Sequence, residues 1–133
     1  MKTLQIQAAK RADFGKKAAK AAYYAKNVGT AYIKAISACP LNWNDKPATE
    51  RKVIEAAVNS CYFPLYEVEN GVTRLSYDPE KTGKKIPVLD WLSMMGRTKH
   101  LCDEKYREVV NNIQNEVDRR WNRLKILSEH PEL

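Results

Sequence analysis

The sequence predicts an α/β chain. Three observations carry that expectation: an alanine- and lysine-rich helical stretch leads into a short β-prone run, an Asn-Gly dipeptide joins two further β-prone runs, and apolar residues recur at three- and four-residue steps near the end.

Residues 13–25, DFGKKAAKAAYYA, are strong helix formers, with Asp13 as candidate cap and Asn27 and Gly29 as stops. In residues 31–38, AYIKAISA, the apolar Tyr32, Ile33 and Ile36 stand among small residues, which predicts a strand covered on both faces. Pro40 ends that strand because it has no N–H for a ladder, and residues 41–48 read as a loop. Thr49 is the candidate cap of a short amphipathic helix whose face is marked by Val53, Ile54, Ala57 and Val58. Residues 63–77 form a hairpin about Asn70-Gly71, a dipeptide that readily takes the positive φ angles of a tight turn. Residues 78–87, with two prolines and a glycine, make a surface loop, and residues 88–95 a short helix that Gly96 ends. From residue 103 to about 128, Tyr106, Val109, Val110, Ile113, Val117, Trp121, Leu124 and Leu127 trace one stripe along an amphipathic helix of about six or seven turns.

This inventory leaves the strand at residues 31–38 without a sequence neighbour to satisfy its backbone groups. The missing strands are therefore expected from elsewhere, which makes the chain the C-terminal part of a larger domain or a subunit completed by a partner.

At 133 residues, 44% hydrophobic and 29% charged, the chain has the size and composition of one soluble domain. No apolar run approaches the roughly 20 residues that cross a bilayer, and the first residues lack a signal-peptide core, so a cytoplasmic location is expected. Cys39, Cys61 and Cys102 are too few and too irregularly spaced for a disulfide framework or a self-contained zinc site. The net charge of +7 raises the question of nucleic acid. Basic residues concentrate at 10–20 and 81–85 while acidic ones are interleaved through the second half, which fits a solvated surface, and nucleic acid is not expected as the partner.

Few residues suggest chemistry by themselves. Arg97, Lys99 and His100 would suit a phosphate, or equally the cationic end of a capped helix. Glu67 and Glu69 share one strand face and read as solvent-facing charge rather than an acid-base pair. There is no Gly-rich phosphate loop and no nucleophilic triad pattern. A solitary cysteine at a strand end, such as Cys39, reads by itself as a small buried hydrophobe.

Taken together, ACPLNW at 38–43, PLYEVENG at 64–71, GRTKHL at 96–101 and IQNEVDRRWNRL at 113–124 resemble the C-terminal end of the thiamine-diphosphate-binding β subunit of pyruvate:ferredoxin oxidoreductase and its 2-oxoacid relatives. The resemblance covers roughly residues 13–124. It implies a portion of a thiamine-enzyme α/β domain that also holds a 4Fe-4S cluster. It implies further that a 2-oxoacid, pyruvate before a branched-chain one, is oxidatively decarboxylated to acyl-coenzyme A while electrons pass through the cluster to ferredoxin. Cys39 matches the family's fourth cluster cysteine, in a Cys-Pro-Thr-Gly-Trp motif, and is the implied metal ligand. On this resemblance Pro40 limits drift of the loop and Trp43 walls the site against water.

Leu41-Asn42 replace the family's Thr-Gly, and Asn42 is a residue type able to take the left-handed conformation a glycine would supply. Cys61 stands where the family tends to have glycine, and Cys102 matches no ligand; both are expected to be structural or incidental. The family's Cys-Pro-x-Cys and Gly-Asp-Gly motifs are absent, so the motifs present bind neither thiamine diphosphate nor its Mg ion, and the chain alone is expected to be inactive. The implied partners are the remainder of the β subunit, the other oxidoreductase subunits and ferredoxin, whose acidic surface the net positive charge would help to steer. The alternative is a small basic stand-alone module binding protein or nucleic acid, without redox chemistry.

Overall fold

The structure, a computed structural model, describes residues 1–9, 11–44 and 46–133, and of residues 11–13 and 47 the backbone alone. It is mixed α/β and divides into two compact units.

The first unit comprises Met1–Ile36, Pro64–Asp78 and Asn122–Leu133. It holds a four-stranded sheet in the order β2-β1-β3-β4, from β1 (Thr3–Ala8), β2 (Thr30–Ala35), β3 (Tyr66–Glu69) and β4 (Val72–Leu75). Strand β1 was not expected. Its sequence TLQIQA alternates, with Leu4 and Ile6 buried, and it pairs parallel to β2 from Thr3↔Thr30 to Ala8↔Ala35 and antiparallel to β3 through Gln5↔Val68. The strand that lacked a neighbour therefore has one within the chain.

Strand β2 departs from expectation in two further ways. It stops at Ala35, and it is an edge strand rather than one covered on both faces, with Tyr32 58% exposed. Helix α1 (Arg11–Asn27) packs Ala21 and Tyr24 with Leu4 and Ile6. Because α1 begins at Arg11, Asp13 lies inside the first turn instead of capping it, and its side chain is outside the described residues. At the far end Gly29 passes so close to the chain that a Cβ there would sit 2.2 Å from the Lys2 carbonyl oxygen, so only glycine fits the entry into β2.

The hairpin forms as expected. Asn70 (φ 52°) and Gly71 (φ 87°) both take positive φ, and the Tyr24 hydroxyl donates to Asn70 Oδ1.

The second unit comprises Ser37–Phe63 and Pro79–Trp121. Pro40 does not close the preceding strand; it opens a four-residue helix α2 (Pro40–Trp43), where a missing N–H costs nothing. In α3 (Glu50–Asn59) Val53, Ala56, Ala57 and Val58 are buried. Thr49 occupies the cap position, but its hydroxyl donates to the Lys46 carbonyl at 2.8 Å and caps no helix N–H. Helix α4 is Val88–Leu92, shorter than expected, and its first N–H is satisfied by Gln114 Oε1 at 2.8 Å.

The long helix α5 (Arg107–Glu129) follows two 3-10 turns and buries Val110, Val117 and Trp121. Val109, expected on its apolar stripe, is exposed. Among the described residues no helix is long and apolar enough to cross a membrane.

Candidate functional site

Cys39 is the residue before α2, with extended backbone (φ −128°, ψ 102°) and an exposed side chain. It is not the buried hydrophobe that a solitary cysteine suggests. Its carbonyl accepts the Trp43 N–H at 2.8 Å, closing the single turn of α2, and the Asn44 N–H returns to the Pro40 carbonyl. Asn44, not Asn42, supplies the left-handed residue of this loop, at φ 51°. Asn42 lies inside α2, where its Oδ1 accepts from Arg97 Nη1 at 2.8 Å.

Residues following α4 hold the downstream half of the loop. The Gly96 N–H donates to the Asn44 carbonyl at 3.0 Å, and the Arg97 N–H to the Trp43 carbonyl at 3.3 Å. Gly96 does not have positive φ, so its role is not the expected helix cap. A Cβ at this position would lie 2.7 Å from the Asn44 carbonyl oxygen, and close approach is what requires glycine. The Trp43 ring stands edge-on to the buried Trp91 of α4 at 6.4 Å, and Tyr62 stacks on Trp91 at 4.4 Å. Leu41 is almost wholly exposed.

The other cysteines stand apart in character. Cys61 is buried and has φ 59°, a left-handed backbone that favours glycine and gives a physical reason for the glycine expected there from the family resemblance. Cys102 is exposed in a 3-10 turn. Among the described residues no group of three or more His, Cys, Asp or Glu could hold a metal ion. The donors present thus offer two exposed thiols, Cys39 and Cys102, in separate elements, and do not amount to a complete four-thiolate site.

The cationic stretch at 97–100 does not act as one group. The Arg97 guanidinium bonds Asn42, while the His100 ring packs edge-on against Tyr106 at 5.3 Å. In the first unit Glu67 and Glu69 do share a face. Lys20 Nζ lies 2.7 Å from Glu67 and 3.0 Å from Glu69, and the hydrogen bond to Glu67 is the main cause that holds the Lys20 ammonium above its ordinary pKa. These carboxylates serve as ion-pair partners, in keeping with their reading as charge rather than as acid and base.

No family model matches the chain. Individual relatives do. Over 90 residues the chain is 34% identical to pyruvate synthase subunit PorB of Methanocaldococcus jannaschii, covering 68% of this chain and 28% of that protein. It is 34% identical over 102 residues to the PorB subunit of Thermotoga maritima, and 32% identical over 102 residues to the ketoisovalerate oxidoreductase subunit VorB of Pyrococcus furiosus, each covering 76% of this chain and 31% of the relative.

The chain belongs to the 2-oxoacid:ferredoxin oxidoreductase β-subunit family.

It spans less than a third of the length of these β subunits. Both pyruvate- and ketoisovalerate-named subunits resemble it to a similar degree, so identity alone does not choose between them. What sequence reasoning missed in this β-subunit homologue is the support of the Cys39 loop. In the sequence Gly96 has the look of a helix stop and Arg97 of part of a cationic cluster, because no periodicity links residues 42–44 to 96–97. A glycine directly followed by arginine after an apolar helix was the only trace.

Proposed function

We propose that this chain is the C-terminal portion of the thiamine-diphosphate-binding domain of an oxidoreductase β subunit, with Cys39 contributing one thiolate to a 4Fe-4S cluster. The assembled enzyme, in the cytoplasm, oxidatively decarboxylates pyruvate or a related 2-oxoacid to acyl-coenzyme A and delivers the electrons to ferredoxin. The observation that carries this reading is an exposed thiol on a hydrogen-bonded loop, in a chain homologous to these subunits over most of its length.

When bound, the cluster supplies one-electron transfer. The chain's own part is to present Cys39 Sγ from the start of α2, with the φ of Pro40 fixed behind it and the Trp43 ring seated on Trp91. The other thiolates, thiamine diphosphate with its Mg ion and the coenzyme A site are assigned to the rest of the enzyme, because the chain lacks Cys-Pro-x-Cys and Gly-Asp-Gly motifs. The outer edge of β2 supports such a partner. Among the described residues it pairs with no further strand, and an open, partly apolar edge is a natural place for the sheet to continue.

The test is co-expression with a polypeptide bearing the missing motifs. A brown complex is expected, and Cys39→Ser should strip its iron and acid-labile sulfide while Cys102→Ser leaves both in place. Full iron content in the Cys39→Ser complex overturns the assignment.

A further inference from the structure

Three hydrogen bonds from one dipeptide converge on the segment just after Cys39. The Gly96 N–H reaches the Asn44 carbonyl, the Arg97 N–H reaches the Trp43 carbonyl, and the Arg97 guanidinium reaches Asn42 Oδ1. Trp43 in turn donates its N–H to the Cys39 carbonyl, so one turn of helix transmits the constraint to the cysteine. A four-residue helix has too few internal bonds to hold itself, and α2 has no side-chain cap at Cys39. Its conformation must come from outside the turn, and Gly96 and Arg97 are where the bonds lead.

We infer that Gly96 and Arg97 are positioning residues for Cys39: they fix the direction of its Sγ by clamping residues 42–44. The inference rests on the cluster role proposed for Cys39 and adds the device that aims it. Gly96 is needed because its backbone lies against Asn44, where a Cβ would meet the Asn44 side chain at 2.5 Å and its carbonyl oxygen at 2.7 Å. Arg97 is needed because it bonds the same loop through both main chain and side chain, and the fork of its guanidinium presents a fixed N–H that a lysine ammonium would not. Cys39 and Leu41 are exposed, and among the described residues no side chain hydrogen-bonds the loop besides Arg97.

Two readouts test it, one of which needs no cluster. In the full 133-residue chain, amide hydrogen exchange at Trp43 and Gly96 should accelerate about three- to tenfold in Arg97→Ala and in Gly96→Ala, the loss expected for one or two hydrogen bonds. Amides in the middle of α5 should be unchanged, which separates a local effect from general unfolding. In the co-expressed complex the same variants should broaden or shift the electron paramagnetic resonance signal of the reduced cluster and move its midpoint potential. The pair Arg97→Lys with Asn42→Asp, which replaces the guanidinium–amide bond by a less directional ion pair, should recover only part of both effects. Exchange that stays at the parent rate overturns the clamp. So does loosened exchange with an unaltered cluster signal, provided Cys39→Ser removes that signal; in that case the ligand assignment survives without the positioning role. A cluster intact in Cys39→Ser sinks both.

Discussion

Gly29 in the sheet unit and Gly96 in the helical unit serve the same purpose, letting two stretches of backbone pass closer than a side chain allows, yet they face different neighbours. A Cβ at Gly29 would meet the Lys2 carbonyl at 2.2 Å, immediately before β1, which is held on one side by β2 and on the other by β3. A Cβ at Gly96 would meet Asn44, the cap of a four-residue helix. One neighbour adjoins a strand held by two ladders, and its carbonyl already accepts the Thr30 N–H, so it has little room to yield. The other belongs to a four-residue turn with few internal bonds, so a shift there is expected to be smaller in cost and confined to the loop.

The largest expected effect comes from removing what makes the sheet unit rigid. Ile6 is fully buried on β1 against α1, and Ile6→Ala should cost about 2–5 kcal/mol of stability, read as a fall in the urea midpoint. A loss under about 1 kcal/mol would mean the core beneath β1 collapses to fill the gap, and the contrast with the adjustable loop would weaken.

Next comes the direct comparison. Gly29→Ala should destabilise the chain by about 1–3 kcal/mol because backbone must move at the entry to two paired strands, whereas Gly96→Ala should cost less, with its main consequence at the Cys39 loop. Paired denaturation curves of the two variants measure this. Equal losses would show that the loop is as unyielding as the sheet.

The hairpin supplies a smaller and purely local effect. Gly71→Ala puts a Cβ where φ is 87°, with open space around it, so the cost should be the conformational one alone, about 1–2 kcal/mol. The same substitution at Gly15, in α1 with nothing within 4 Å, should be neutral or stabilising by up to about 1 kcal/mol. Thermal melts should therefore show a lower midpoint for Gly71→Ala and an unchanged or higher one for Gly15→Ala.

The same contrast between local and distant causes explains what could be read from the sequence. The hairpin was legible because Asn70-Gly71 determines its own φ angles, and α3 and α5 were legible because periodicity is local. Strand β1 was not, since six residues, TLQIQA, beside a basic stretch carry little signal until β2 and β3 are seen on either side. That omission made β2 look orphaned. The loop after Cys39 was misread for a related reason: proline is compatible with ending a strand and with starting a helix, and only bonds from Gly96 and Arg97 decide the matter. Cys39 is singled out by the family resemblance alone, and the structure describes its exposure and the hydrogen bonds of the loop that follows it.

The smallest expected effect concerns the charges that tie α1 to the sheet. Lys20 bridges Glu67 and Glu69 on β3, and these contacts, led by the hydrogen bond to Glu67, raise its folded pKa above 10.5. A cation stabilised in the folded state contributes fully below its unfolded pKa and loses that contribution as pH rises through the higher folded value. The stability difference between the parent chain and Lys20→Met should therefore be constant from neutral pH up to about 10.5 and shrink above it. Because Lys20 is 41% exposed, solvent screens the pair, and the difference should not exceed about 1 kcal/mol and should fall further in high salt. A difference that grows with alkalinity would reverse the sign of the linkage and mean that desolvation of the Lys20 ammonium outweighs its attraction to Glu67 and Glu69.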